Sequence, residues 1–489
     1  MSRYIAITFG PITRVISMAQ TTRGMWAASY LFSYLAKESI RPFAKRKFLL
    51  PFINEEMFNK TFRGAGVFPD RYIFESENGD FELLKSHIDE VFSSIAGNLK
   101  KNDNENIDDI KNFLLQRFKV YFIEQERDNL DERTFISHCE QTLSLLEEQD
   151  SYIPSVVDGH DYIIRLLNGG ISGMQFLMDD AGIGKFKSIV EISSENGTPV
   201  SYKDDDPTKK KVYERYIAIV YADGDSMSEA LSKVPTSQLS NALFEFNKVA
   251  IKAINDFDGQ PVYIGGDDLF FFAPIFHEGK SIFSLLQTLD EAFHKSLQDK
   301  NISGPTISFG VSITYYKYPM SEAVACSDKL LKGAKGYNIP DHGNFKEMHD
   351  RMKNNILFSI QKHSGQTRAA LLHKGFSSTV THFNKMANDY SGVSDSDSGE
   401  GNKMLSSIMH NLREHEPILV NAIHDKELLV NYFDNYYNES PHESYKNFFN
   451  ELSNLIHSAC EEYGDPKAAL DLTYALLQFI HLVNLKRDE

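Results

Sequence analysis

Two acidic clusters stand out by residue type and spacing. Asp223-Gly224-Asp225 follows the apolar run YIAIVYA (216–222), and Gly265-Gly266-Asp267-Asp268 separates two further apolar runs within PVYIGGDDLFFFAP (261–274). Apolar runs closed by glycine and aspartate predict buried strands ending in turns, and ligand sites form where the strands of an open sheet end. On neighbouring strands the carboxylates would meet at one edge and repel one another unless cations held them. Two divalent ions about 3.5–4 Å apart suit that arrangement and an in-line phosphoryl displacement. Mg²⁺ takes oxygen ligands and keeps waters for substrate phosphates, so few protein ligands suffice. Gly265 and Gly266 remove side chains where a nucleotide must approach the backbone. The amides of Asp225, Ser226 and Met227 are placed to cradle phosphates, and Lys335 to neutralise a triphosphate. Plainer readings exist for each part. DGDSMSE resembles the opening of a calcium loop but lacks its later glycine and glutamate; GGDD fits a solvated hairpin; Lys335 fits a helix-end lysine.

These residues need a scaffold. RYIAITF (3–9) alternates like a strand, Thr21 or Thr22 can cap a helix through Trp26, and KFLLPF (47–52) and RYIFES (71–76) are short strand candidates. Residues 79–150 turn helical in pattern, 170–200 return to glycines and a short strand FKSIVEIS, and 201–211 resemble a polar linker. A second unit runs strand 216–222, helix 237–256, two strands within 261–274, helix 280–298, strand 306–316 and helix 321–336. That order predicts an open sheet with helices on one face. Residues 388–402 predict a mobile loop, and 403–489 a small helical bundle.

Composition narrows the class. The chain has 489 residues, enough for several cores, and a net charge of −17, which argues against gripping nucleic acid over the whole surface. Cys139, Cys326 and Cys460 are too few and too scattered for a disulfide scaffold or a cysteine-rich zinc site. No stretch approaches a membrane span, and the N-terminus lacks the pattern of a signal peptide, so a cytoplasmic protein is expected.

YADGD, IGGDDLFFFAP and SFGVSITYYKYPMSEAVACSDKLLKGAKGYN together resemble the palm of the CRISPR polymerase family, the large subunit of type III CRISPR effector complexes. FGPITRVISMAQTTRGMWAASYLFSYLAKE and FPDRYIF (68–74) resemble the first, degenerate palm of the type III-B (Cmr) version. The resemblance implies an α+β fold of two ferredoxin-like, cyclase-like palms with a helical insertion and a C-terminal helical bundle. The expected bounds are 1–95 for the first palm, completed by 165–200; 96–164 for the insertion; 205–345 for the second palm; and 346–489 for the helical domain.

It further implies a two-metal site of Mg²⁺ or Mn²⁺ with ATP as substrate. Asp223 and Asp267 are the first metal ligands, completed by Asp268, Asp225 and the Gly224 backbone; Asp267, Asp268 and Asp223 are the catalytic set. Implied partners are the other Cmr subunits, guide RNA and target RNA, with no membrane. Implied products are a cyclic oligoadenylate or an AMP conjugate of S-adenosylmethionine. Asp70, Arg71 and Arg23 are candidates for the acceptor side of the pocket, where Asp70 suits a cationic acceptor such as S-adenosylmethionine. The first palm begins close to Met1, so no HD nuclease domain is expected, and His160-Asp161, His349-Asp350 and His424-Asp425 are expected to be incidental pairs. The insertion also lacks the family's four-cysteine zinc module. Two other readings remain open: a diguanylate-cyclase-like enzyme, and a non-catalytic scaffold subunit.

Overall fold

Alternating β-branched and aromatic residues at the N-terminus form β1 (Arg3–Gly10), the centre of a first sheet in the computed structural model. The structure describes residues 2–19, 21–53, 57–58, 64–148, 162–168, 174–194, 212–336, 353–391, 398–437 and 446–485. β1 pairs antiparallel with β3 (Arg71–Ser76) and β4 (Lys119–Glu126), and β2 (Phe48–Leu50) adds to β3, giving the order β2-β3-β1-β4. The Thr22–Ile40 helix packs beneath, capped by the Thr21 hydroxyl accepting from the Gly24 amide at 3.0 Å. Trp26 is fully buried in it and donates its indole N–H to the Gly64 carbonyl at 2.7 Å.

Two boundaries differ from the sequence expectation here. β4 falls inside the span 96–164 assigned to a helical insertion and completes the first sheet, a task expected of 165–200. KVYFIEQE is half-exposed and ends in charge, so its alternation is faint beside the helices around it. FKSIVEIS does not make a strand. Ser188 and Glu191 form a capping box that starts a short helix, Ile189–Ser193.

The second sheet is built on β5 (Tyr216–Asp225), an apolar strand buried along most of its length. It pairs antiparallel with β10 (Thr306–Tyr315) and β7 (Asp268–Pro274); β6 (Gln260–Gly265) adds to β7. β11 (Asn355–Gln361) joins β10 in parallel, and β12 (Thr367–His373) closes the order β12-β11-β10-β5-β7-β6. A small ladder, β8 (Phe276–His277) with β9 (Lys280–Ser281), lies apart. β11 and β12 occupy the start of the span 346–489 assigned to helices, so the second sheet runs on into that span.

Helices cover both faces of this sheet, not one. Gly310 meets the Met320–Ala334 helix at Leu331. Phe358, the register partner of Val311, meets Phe283 of the Ile282–Gln298 helix. Successive strand residues point to opposite faces, which puts the two helices on opposite sides. Phe283 also touches Phe479 of the Pro466–Asn484 helix at 5.1 Å between ring centroids, which docks the C-terminal helices onto the palm. The linker 201–211 and the centre of the expected loop 388–402 lie outside the described residues.

Candidate functional site

The register of β5 and β7 decides what the acidic clusters can do. Ala222 pairs with Leu269, so Asp223 and Asp268 follow at the same edge, and Gly265 pairs with Asp268 across the β6–β7 turn. Gly266 occupies the left-handed region, φ +63°, which glycine adopts without strain. Asn247, on the Thr236–Asp256 helix, holds this turn. With its amide oriented to satisfy both groups, it donates to the Gly266 carbonyl at 2.9 Å and accepts from the Gly266 amide at 3.1 Å. Gly224 is needed for closeness: a Cβ there would lie 2.7 Å from Asp267 Oδ2.

The carboxylates are thereby crowded. Burial, then Asp223, pushes the Asp267 carboxyl up to about 6. Burial, then Asp267 and Asp223, pushes Asp268 up to about 8; Asp268 is exposed, so water screens part of that shift. Lys335, just past the Met320–Ala334 helix, answers part of the charge. Its ammonium pairs with Asp223, donates to the Gly224 carbonyl at 2.9 Å and stands 4.0 Å from Asp225. Asp225 is held differently from the others. Its Oδ2 accepts from Thr306 Oγ1 (2.8 Å), Ser308 Oγ (2.7 Å) and the Asn354 amide (3.0 Å), while Oδ1 is buried without a hydrogen-bond partner. Asn354 reaches it from the left-handed region, φ +73°, which asparagine tolerates.

Opposite this edge lies the first palm, across a cavity of about 290 Å³. Asp70, Arg71 and Glu140 line its first-palm wall, and Met227, Gly266 and Asp267 its second-palm wall. Phe52 and Phe244, 6.4 Å apart, close the apolar side, and the Phe52 amide donates to Ser240 Oγ at 2.6 Å. Burial raises the Asp70 and Glu140 carboxyls. The Asp70 charge is also felt by Asp268 across the cleft. Arg71 is committed to Glu147 at 2.9 Å.

Several expectations change. Arg23 does not line this cavity; it sits on the Thr22–Ile40 helix with its Nε buried and unpaired. Gly265 makes room for Tyr263, whose hydroxyl would be 2.6 Å from a Cβ there, and is not on the cavity wall. Ser226 stands in the left-handed region before the Met227–Lys233 helix. His424 packs on Cys460 at 3.5 Å and Asp425 caps the Glu427 amide at 2.9 Å, both local tasks; the other two His-Asp pairs lie outside the described residues. Sequence reasoning missed Asn247, Glu140, Ser308 and Asn354. Asn247 had a signal, a polar residue inside the apolar helix pattern FEFNKVA.

The donor set fits Mg²⁺ or Mn²⁺ chemically. It is all oxygen, with one buried, unpaired carboxylate oxygen on Asp225 and two carboxyls pushed up by burial and then by like charge. As the side chains stand, no group of three or more His, Cys, Asp or Glu among the described residues is set to hold a metal; the Lys335 ammonium occupies the space between Asp223 and the Gly224 carbonyl.

A pH dependence follows. Asp267 and Asp268 bind protons more tightly folded than unfolded, so folding is opposed once these groups ionise. Their penalty is absent below about pH 4 and grows as pH rises towards about 8. In chelator, the melting temperature at pH 8 is expected to fall a few degrees below that of an Asp267→Asn/Asp268→Asn variant, with the gap closing near pH 5. Parallel thermal melts check this.

Comparison with known proteins agrees with this geometry. Residues 216–341 match the family model of the Cas10/Cmr2 second palm domain, and residues 4–111 match that of CRISPR-associated protein Cmr2, N-terminal. No curated protein sequence matches the chain. Among solved structures, a type III-B Cmr-beta complex in its apo state contains a chain that aligns with TM-score 0.52 at 12% identity, over 86% of this chain and 75% of that one. A Csm1–Csm4 cassette in complex with pppApA gives 0.52 at 11% identity, over 98% and 69%; the same cassette with pppApApA gives 0.51 at 12%, over 99% and 69%. At these identities the likeness is one of fold. The two family segments fall on the two palms that face each other across the cavity: residues 216–341 are a Cas10/Cmr2 second palm domain and residues 4–111 a Cmr2 N-terminal domain.

Proposed function

We propose that the chain is a nucleotidyltransferase that uses ATP to make a signalling nucleotide, acting as a subunit of a type III-B (Cmr) effector complex when guide RNA pairs with target RNA. The observation that carries this is the meeting of Asp223, Asp267 and Asp268 at one sheet edge, with Asp267 on the wall of the interpalm cavity. A scaffold has no need to bury carboxyls whose pKa values are raised by that burial and by mutual repulsion. In the proposed reaction a hydroxyl of an acceptor nucleotide gives up its proton to solvent as its oxygen forms a bond to the α-phosphorus of ATP. The bond from that phosphorus to the β-phosphate bridging oxygen breaks, and pyrophosphate leaves. Asp223, Asp267 and Asp268, with Asp225 and the Gly224 carbonyl, would hold Mg²⁺ or Mn²⁺, which would supply Lewis-acid stabilisation of the developing charge. Asp225, tied to Thr306, Ser308 and Asn354, keeps the end of β5 in place. Lys335, released from Asp223, turns to the triphosphate. Gly266, Ser226 and Met227 present backbone to the nucleotide, while Gly265 shapes the turn.

The acceptor wall supports a second product. Asp70 and Glu140 stand beside an apolar surface, and two carboxylates there suit a cationic acceptor such as S-adenosylmethionine. The assembled complex with target RNA, Mg²⁺ and ATP, with and without S-adenosylmethionine, is expected to release pyrophosphate and an adenylate product identified by mass spectrometry. No ATP-derived product would end the enzymatic reading. An unchanged product profile on adding S-adenosylmethionine would end the conjugate reading alone, and efficient turnover of GTP would favour a diguanylate-cyclase-like enzyme.

A further inference from the structure

The chain is acidic overall, yet cations gather where the β11–β12 hairpin meets the C-terminal helices. Arg368 on β12 and Arg413 on the Ser398–Glu414 helix both lay their guanidinium carbons against the Tyr474 ring, 4.5 and 4.3 Å from its centroid. Tyr474 and His481 lie seven residues apart on the Pro466–Asn484 helix, hence on one face. His481 Nε2 meets Ser406 Oγ at 3.1 Å. Lys362 enters from the hairpin turn, where its amide donates to the Gln366 carbonyl at 2.9 Å.

Counter-charge is sparse around these cations. Among the described residues no carboxylate makes an ion pair within 4 Å of Lys362, Arg368 or Arg413. Burial raises the carboxyl of Asp471, one turn before Tyr474, and the Arg368 charge offsets part of that rise. Arg368 Nε and His481 Nδ1 are both buried without a partner. Burial and then Arg413 hold the Lys362 ammonium below the usual lysine range; burial and then Lys362 push His481 down to about 4. Like charges are thus brought together at a cost that an anion would relieve.

We propose that Arg368, Arg413 and Lys362 form a phosphate-backbone site for a single-stranded nucleic acid. A guanidinium stacked on an aromatic ring leaves its N–H edge free to grip an oxyanion in bidentate fashion. Three separate elements contribute the cations, which suits a strand carrying several phosphates better than one small ion. A chain of net charge −17 must make any such contact locally. The cluster lies at the far end of the β11–β12 ladder from Asn354 and Asp225, since Arg368 pairs with Ile360 while His373 pairs with Asn355. It does not rest on the catalytic reading.

The test uses the full chain and a fluorescein-labelled single-stranded RNA, followed by anisotropy across a salt series. Arg368→Gln with Arg413→Gln is expected to weaken binding about tenfold and to lower the slope of log affinity against log salt by about 1.4, two phosphates' worth. Lys362→Gln, in the hairpin turn, is expected to lower the slope by about 0.7 and guards against a folding defect in the double variant. Circular dichroism melts establish that each variant is folded. Wild-type affinity and slope in the folded variants would overturn the site. Tight binding of polyglutamate in place of RNA, lost in the double variant, would overturn its assignment to nucleic acid.

Discussion

Asp267→Asn combined with Asp268→Asn is expected to lower ATP-dependent nucleotide synthesis on the order of a thousandfold or more, while leaving assembly with partner subunits intact. The two residues close the β6–β7 turn, Asp267 on the cavity wall and Asp268 exposed beside it. Each amide keeps the volume of the carboxyl but removes the charge that a divalent ion requires. The fold loses nothing by the change, because Asp267 and Asp268 repel Asp223 and each other in the cation-free protein. The variant should therefore co-purify with its complex and melt at or above the wild-type temperature in chelator. Synthesis at wild-type rates would remove these residues from the reaction. Loss of assembly would mean that the turn serves docking.

Gly310→Ala is expected to have the largest effect on stability, about 3–5 kcal/mol, with a fall of ten degrees or more in melting temperature or a failure to fold. Gly310 lies on β10, paired with Tyr221 of β5. A Cβ there would come 2.7 Å from Leu331 Cα, and closer still to the Leu331 amide nitrogen and the Ser327 carbonyl oxygen. These are backbone atoms of the Met320–Ala334 helix, so no rotamer change relieves the clash. The helix cannot simply lift away. Ser327 Oγ donates to the Gly310 carbonyl at 2.8 Å and to the Ile219 carbonyl at 3.0 Å, and Lys335 at the helix end reaches Asp223. A shift of the helix would thus disturb the site as well as the core. Thermal melts of the variant check the stability; a loss under 1 kcal/mol would show that the contact relaxes freely.

Periodicity carried the strands and helices whose pattern is strong. β5, with YIAIVYA, and the helix over TSQLSNALFEFNKVAIKAIND were legible because apolar residues recur at a period that only one backbone satisfies. β4 was not, since it is half-exposed and its polar residues hide the alternation. β11 and β12 were assigned to helices because the family's helical C-terminus begins near them, although NILFSIQ is as apolar as β10. FKSIVEIS carries β-branched residues that favour a strand, and the Ser188–Glu191 capping box outweighs them over a five-residue helix.

The two acidic clusters, their glycines and Lys335 were visible in the chain alone, because charge placed at the ends of apolar runs is costly without a purpose. Nothing local showed that Asp225 turns into the sheet toward Thr306, Ser308 and Asn354 while Asp267 stays on the cavity wall. Nor could local pattern find Glu140, which joins Asp70 on the cavity wall only because β4 and the Glu132–Glu147 helix complete the first palm. Residue types and spacing record which groups are available and which elements carry them. Which groups meet is set by register and by the packing of one palm against the other, contacts between residues far apart in the chain that no short window contains.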